Sequence, residues 1–428
     1  MKRFMPTPGM LANKITLYHV LLLFISLPLD RFFSEVVFVS FIIHTLIHLK
    51  ASKLNNLYHP LLLVVPGVFF ISLLSSLYGG NTSTALTACS NQLPFLFIPV
   101  LFLIHRELIW QYRHTILKVF GWSCLAVVLY LYGVVFLTML HFHLSPKSLF
   151  SESFINHNFS KPVGIHATFF SGFVVMAVII FFKSIIAERN TKLKMVYGAA
   201  TFLMLLALVQ LSSKTGIITL VLVLNIFLPF YYTKGGKRYV TSATLWLVTI
   251  SGLVIACFSA NLRARLLTDL NNDLDLSKVQ LVTDSRVDRW KVALETAMKK
   301  PFFGYGNGKE QDVMHQAYFD HKLYHSYIFQ LNAHNQFLSI LIKSGIVGLV
   351  LFITLLAYGL VVGIRNKDLL LTTLLVFIIV ASVSENVLDA NKGIMLYSMF
   401  FSISLLAPAM NFKRKSIRFK ATEVPVLT

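Results

Sequence analysis

The stretch Asn332-Ala333-His334-Asn335-Gln336-Phe337-Leu338-Ser339-Ile340-Leu341-Ile342-Lys343-Ser344-Gly345 turns from polar to apolar, which sets His334 at the mouth of a helix. A neutral imidazole there can take a proton from a hydroxyl, which is general-base work. The helix N-terminus favours a nearby anion and the neutral form of the ring. The plainer alternative is a structural, hydrogen-bonding histidine, one of 14 in the chain. Upstream, Asp284-Ser285-Arg286-Val287-Asp288-Arg289-Trp290 opens a helical stretch that runs to about Lys300, where Pro301 breaks it. Val287, Trp290, Leu294 and Met298 recur at spacings of three and four and predict one apolar stripe. Such a helix lies against a membrane surface or the protein's own outer rim. Arg286 falls at the stripe's edge beside Trp290, and Arg289 points further to the polar side. The plain alternative is a basic amphipathic linker. Phe302-Phe303-Gly304-Tyr305-Gly306-Asn307-Gly308 reads as a tight loop.

Two further groups sit at the ends of apolar segments. Leu211-Ser212-Ser213-Lys214-Thr215-Gly216 is a very short turn that places Lys214 near a membrane surface, and Ser384-Glu385-Asn386-Val387-Leu388-Asp389 ends another segment. A cation there calls for Glu385 or an anionic ligand as partner, unless it simply snorkels to water.

The elements that must position these residues are membrane helices. Of the 428 residues 56% are hydrophobic and 13% charged, and the mean hydropathy is +0.70. Soluble domains carry about 25% charged residues, so a soluble enzyme is excluded. Twelve apolar segments are expected, at roughly 15–31, 34–49, 58–78, 86–104, 115–140, 165–186, 194–212, 215–232, 240–259, 336–364, 369–384 and 392–410. A span needs about 20 apolar residues, so the second and eleventh are short. The first is followed by Asp30-Arg31-Phe32 with no small-residue cleavage site, and is expected to be a retained anchor.

The net charge of +20 follows this topology. With the amino terminus in the cytoplasm, one side carries 22 basic residues against four acidic ones, and the other 15 against 14. That asymmetry is the positive-inside signal. A nucleic-acid footprint would be one concentrated patch, so no nucleic-acid partner is expected. The fold class is therefore all-α and polytopic, with about twelve transmembrane helices and one large extracytoplasmic loop. Residues 1–259 hold nine helices, 260–335 the outer loop with amphipathic helices, 336–410 three more, and 411–428 a short basic cytoplasmic tail. Ionisable groups within the apolar segments are few, mainly His44, His48 and Lys343, and no internal symmetry of the transporter kind is visible.

Several patterns are weaker. Asp273-Leu274-Asp275 matches the short D-x-D of soluble nucleotide-sugar enzymes but sits in a polar loop, and Leu274 and Gln280 exclude an EF-hand. His315, His321 and His325 lack the Cys or HExxH context of a zinc site. Cys89, Cys124 and Cys257 are scattered and build no disulfide or metal framework. Neither a metal nor another cofactor is expected.

Taken together, the motifs resemble those of a known family. His334 to Gly345 is similar to the H-[N/S/Q]-x-x-L-x6-G signature of the O-antigen ligase family, with Asn335, Leu338 and Gly345 in register. Arg286, Trp290 and then Pro301-Phe302-Phe303-Gly304-Tyr305-Gly306 resemble its R-x-x-x-W…P-x-x-G-x-G run. The resemblance implies a GT-C-like glycosyltransferase of the bacterial inner membrane, with cytoplasmic termini and a periplasmic active site. It would transfer a glycan from undecaprenyl diphosphate to lipid A–core oligosaccharide in lipopolysaccharide biosynthesis, among membrane lipids and without a metal or nucleotide sugar. His334 would be the base, and Arg286 would hold the diphosphate through its fork of donors. Arg289 is a second phosphate candidate. Lys214 stands where the family usually has Arg, keeping the charge without bidentate geometry. Glu385 would orient His334 or a basic partner, with Asn335 in support. An O-antigen polymerase, extending glycan on the undecaprenyl carrier, shares these motifs. From another class, a lipid-linked sugar transporter or flippase would line a path through the bilayer with polar residues and would not need the His334–Arg286 pair.

Overall fold

The computed structural model describes residues 8–57, 59, 61–79, 82–258, 263 and 284–421, and among these no strand occurs. The first half runs α1 (Pro8–Ser26), α2 (Arg31–Ile47), α3 (Leu61–Ser76), α4 (Thr82–Asn91), α5 (Leu93–Ile104) and α6 (Arg106–His141). It continues through α7 (Ala167–Ala187), α8 (Thr191–Leu211), α9 (Lys214–Tyr232, with a π-turn at Val223–Phe227) and α10 (Gly236–Cys257). An outer subdomain holds α11 (Arg286–Met298), α12 (Glu310–Asp320) and the turn Tyr324–Ile328; α13 (Gln336–Arg365), α14 (Leu369–Ser384) and α15 (Asn391–Ala421) follow. Asp273, Asp275 and the tail from 422 lie outside the described residues.

Helix starts follow local chemistry. Asp30, Asn190, Ser213, Ser285, Asn335 and Asp368 each accept a hydrogen bond from a backbone N–H of the first turn of α2, α8, α9, α11, α13 and α14. Short polar side chains at this position satisfy donors that the helix itself leaves without partners.

Every apolar segment read from the sequence carries helix, but with unequal length. Among the described residues, six stretches are long and apolar enough to cross a membrane: Ser83–Ile104, Arg106–His141, Ala167–Ala187, Thr191–Leu211, Lys214–Tyr232 and Gln336–Arg365. A pair bent by 78°, Ala51–Leu57 with Leu62–Ser76, would make a seventh. Leu369–Ser384 is a shorter apolar helix. Its 16 residues reach about 24 Å, less than the ~30 Å hydrocarbon core. It can be short because protein surrounds it. Leu369 through Ile378 are almost wholly buried, against α7, α9, α13 and α15. At its start Asp368 also binds Arg113 of α6, 3.2 Å away. Polar groups of the bundle are paired in the same spirit: His44 Nε2 meets Thr16 Oγ1 at 3.0 Å.

The outer subdomain corrects one expectation. The stripe Val287–Trp290–Leu294–Met298 is not the packing face of α11, since Leu294 and Met298 are exposed. The buried face is Arg289, Val292, Ala293, Thr296 and Ala297. Arg289, expected on the polar side, is buried instead. Small side chains decide the matter: Ala293 and Ala297 let α11 close onto Met314, Ala317 and Tyr318 of α12 and Ile342 of α13 in one apolar cluster. Leu294 and Met298, with Phe302 and Phe303, form an exposed apolar edge.

That subdomain is fixed to the bundle by a break in α13. An unbroken helix would bond Ile346 N–H to the Ile342 carbonyl and Val347 N–H to that of Lys343. At Gly345 the backbone leaves helical geometry (φ 64°, ψ −165°). The loop after Pro301 fills the gap. Tyr305 and Gly306 donate to the Ile342 and Lys343 carbonyls (2.8 and 2.9 Å), while Ile346 and Val347 donate to those of Pro301 and Phe302 (2.7 and 3.4 Å). All four groups are thereby satisfied. Gly345 and Gly304 are both at positive φ, and a Cβ on either would run into the other's backbone segment. Gly345→Val should therefore lower the unfolding midpoint in detergent, since left-handed geometry alone costs roughly 1–3 kcal/mol for such a residue. Gly133→Ala in α6, where an added Cβ meets nothing within 4 Å, should leave it unchanged or raise it, by about 1 kcal/mol at most. Equal midpoints for the two variants would show that the break does not depend on its glycine.

Candidate active site

The residues singled out in the sequence converge on the C-terminal end of α14. Glu385 is its C-cap, and the carboxylate reaches two ways. One oxygen lies 3.1 Å from His334 Nδ1, and the other 4.0 Å from Arg286 Nη2. Arg286 Nη1 also donates to the Ser384 carbonyl at 3.3 Å. From the next helix, Thr215 Oγ1 lies 3.3 Å from Ser384 Oγ, which brings the first turn of α9, and with it Lys214, beside the same helix end. Ser213, the cap of α9, accepts in turn from Ser171 of α7 at 2.9 Å.

The backbone around His334 is held closely. Its own φ is +46°, in the left-handed region. Its N–H donates to Asn332 Oδ1 at 2.9 Å. Asn335 caps α13 through Phe337 and Leu338 N–H (3.0 and 3.1 Å), and its own N–H donates to Asn386 Oδ1 at 3.0 Å. Gln336 Oε1 accepts from Leu388 N–H at 2.8 Å, and Trp290 Nε1 donates to the Ala333 carbonyl at 3.1 Å. So His334 is clamped between α11 and the α14–α15 turn, with a quarter of its side chain exposed (27%). An uncommon φ that the surroundings over-determine fits a site where geometry matters more than local ease.

The electrostatics follow from the same contacts. Burial pushes the Glu385 carboxyl up, but the hydrogen bond and charge of His334, with His166 and Arg286 behind it, outweigh this and hold it below the ordinary value. A carboxylate can only accept, so the His334 nitrogen facing it carries the proton and Nε2 is left as the basic one. Four helices, α7, α9, α11 and α13, begin at this end, each with the partial positive charge of an N-terminus. With Arg286 and Lys214 nearby, the mouth favours an anion.

The other expectations divide. Arg289 is not at the mouth: it lies in the subdomain core, where its charge acts on the buried Tyr318 of α12. His321 pairs with Glu295 at 2.9 Å, and His315 stacks on Tyr327 with centroids 4.0 Å apart. His166 caps α7, and its ring lies 3.9 Å from that of His157. Asn332 and Asn386 were not singled out at all. Asn332 acts locally, on the N–H two residues on, whereas Asn386 binds its N–H across the fold, which no sequence pattern marks.

No curated protein matches the chain. The family model described as O-antigen ligase matches residues 199–353, which span Lys214, Arg286, Arg289, His334 and Gly345 but leave out His166 and Glu385. Over that stretch, about a third of its length, the chain is similar to the O-antigen ligase family whose motifs its own resemble.

Proposed function

We propose that this protein is an O-antigen ligase that moves a glycan from undecaprenyl diphosphate to a hydroxyl of lipid A–core at the periplasmic face of the bacterial inner membrane. The observation that carries this reading is the His334–Glu385–Arg286 contact at the mouth of α13. His334 Nε2 takes the proton of the acceptor hydroxyl, and the freed oxygen forms the new bond to the sugar's anomeric carbon. The bond from that carbon to the diphosphate breaks, and its electron pair leaves with the diphosphate. Arg286, Lys214 and the helix N-termini receive that charge, preorganised where it develops. Glu385 keeps the imidazole in its Nδ1–H form and steadies the imidazolium that results. Asn335 and Asn332 hold the His334 backbone in place. Fixed cations make a divalent ion unnecessary in this scheme.

The test is a reconstituted assay with purified protein, undecaprenyl-diphosphate glycan and lipid A–core, in EDTA. Product on lipid A–core is expected from wild type. His334→Ala should lower the rate by about 10²–10⁴-fold, the span of general-base catalysis, and Arg286→Ala should also be severely impaired. Lys214→Ala should be milder, because a point charge at a wet interface is more easily replaced. Glycan lengthened on the undecaprenyl carrier, with the core untouched, would make the protein a polymerase at the same site. No product of either kind would sink both readings.

Glu385 also predicts a pH dependence of stability. Its carboxyl is held below the ordinary 4.5 in the folded protein. The stabilisation is therefore full above that value and is lost as pH falls through the lowered one. The gap in unfolding midpoint between wild type and Glu385→Gln should be widest near neutral pH and close below about pH 4. A gap unchanged down to pH 3 would show that the ionised carboxylate is not what stabilises the site.

A further inference from the structure

A second polar site adjoins the mouth. A cavity of about 290 Å³ is lined by Gln92, Asn307, Glu310, Lys343, Asn386 and Asp389, among others. That is close to the lower bound for small-ligand pockets, roughly 300 Å³. Asn332 also faces it, so the same two asparagines that hold the His334 and Asn335 backbone form its wall. The cavity wall thus lies two residues from His334 and next to Glu385 along the chain.

Its charges are built in. Lys343 Nζ lies 2.8 Å from Asp389 Oδ2 and 3.1 Å from Glu310 Oε2, and all three are largely buried. Two carboxylates share one ammonium, so the cluster is net negative. Asp389 is well supplied with donors: Ser339 Oγ (3.4 Å), Asn386 Nδ2 (3.3 Å) and Gln92 Nε2 (3.4 Å). Other oxygens are not. Among the described residues, Gln92 Oε1, Asn307 Oδ1 and Glu310 Oε1 are buried acceptors with no donor. Gln92 and Asn307 are 4% and 5% exposed. Burial raises the Glu310 carboxyl above its ordinary value against the pull of Lys343. Buried acceptors without partners are costly, and these three line the same space. A cavity whose lining residues carry such acceptors beside two carboxylates suits a ligand rich in O–H or N–H groups and turns phosphate away.

We propose that this cavity is a saccharide subsite that holds one uncharged or amino-bearing sugar ring beside His334, its hydroxyl or amide hydrogens donated to Gln92, Asn307 and Glu310. This rests on the proposed transfer reaction for the ring's identity as part of a substrate. Donor glycan and acceptor core present the same chemistry, and kinetics separate them.

Two variants are compared with wild type in the reconstituted assay, varying each substrate in turn. Gln92→Leu removes one acceptor at similar volume, and Ala88→Trp fills the space from the α4 wall without removing a side-chain hydrogen bond. Each should raise KM for one substrate about tenfold, equivalent to ~1.4 kcal/mol, with kcat changed less than twofold. The substrate whose KM moves names the source of the ring. Unchanged KM values for both, with only the folded fraction or kcat reduced, would make the cavity a water-filled structural void and overturn the proposal. Saturation-transfer NMR keeps the proposal testable if wild type transfers nothing. Glucose, galactose and N-acetylglucosamine should give signals that Ala88→Trp abolishes, and glucose 6-phosphate should give none. No sugar signal from wild type, or signals that survive in Ala88→Trp, would overturn it.

Discussion

The break in α13 at Gly345 is the constraint on which the outer face depends. A helix that stops obeying its own hydrogen-bond ladder must find partners for two donors and two acceptors, because buried backbone groups left unpaired are costly. The loop 301–306 supplies all four. In doing so it ties down both α11, which ends just before the loop, and α12, which begins shortly after it. Arg286 and Glu310 therefore reach α13 and its neighbours from a fixed anchor and not from a free-swinging segment. The two motifs, distant in sequence, are the two halves of this one joint: Pro301 to Gly306 is the filler, and Gly345, which ends the histidine motif, is the gap.

The second element is a short helix. α14 is surrounded by α7, α9, α13 and α15, so its length is set by packing and not by the thickness of a bilayer. Its C-terminal residue Glu385 can then meet the first turns of its neighbours instead of water. A carboxylate at a helix C-terminus sits against the sign of that helix's own dipole. His334, His166 and Arg286 offset this, and the balance leaves Glu385 ionised despite burial. The acid thus orders the base, and the base in turn keeps the acid charged.

Much of this was legible in the residues. The all-helical class followed from hydropathy, and His334, Arg286 and Glu385 from their residue types in the outer loop and at segment ends. The structure brings these three into contact. What the sequence withheld has physical reasons. A count of spans by hydropathy cannot tell a full crossing from a short helix buried in protein, as α14 and Leu11–Ser26 show. The stripe on α11 misled because hydrophobicity was weighed above size: alanines at the packing face permit close approach, while Leu294 and Met298 stay outside. Arg289 misled because an arginine can be buried when its neighbours supply partners. Lys343 was visible only as an unexplained charge in an apolar run, since Glu310 and Asp389 come from elements on either side of it in sequence.

Two compartments of opposite character now stand side by side. The mouth at Glu385 gathers Arg286, Lys214 and helix N-termini, whereas the cavity beyond it carries one ammonium between two carboxylates. The partition is thin: Asn332 and Asn386, each spending a side-chain oxygen on a backbone N–H. Amides suit such a wall because they are neutral at every pH and can present a donor to one side while accepting on the other. A carboxylate there would be pulled into the mouth, and a lysine into the cavity. Under the proposed transfer, a substrate with a charged leaving group and uncharged rings has that same division of character, and opposite fields on the two sides of the wall would orient it before any bond is made or broken.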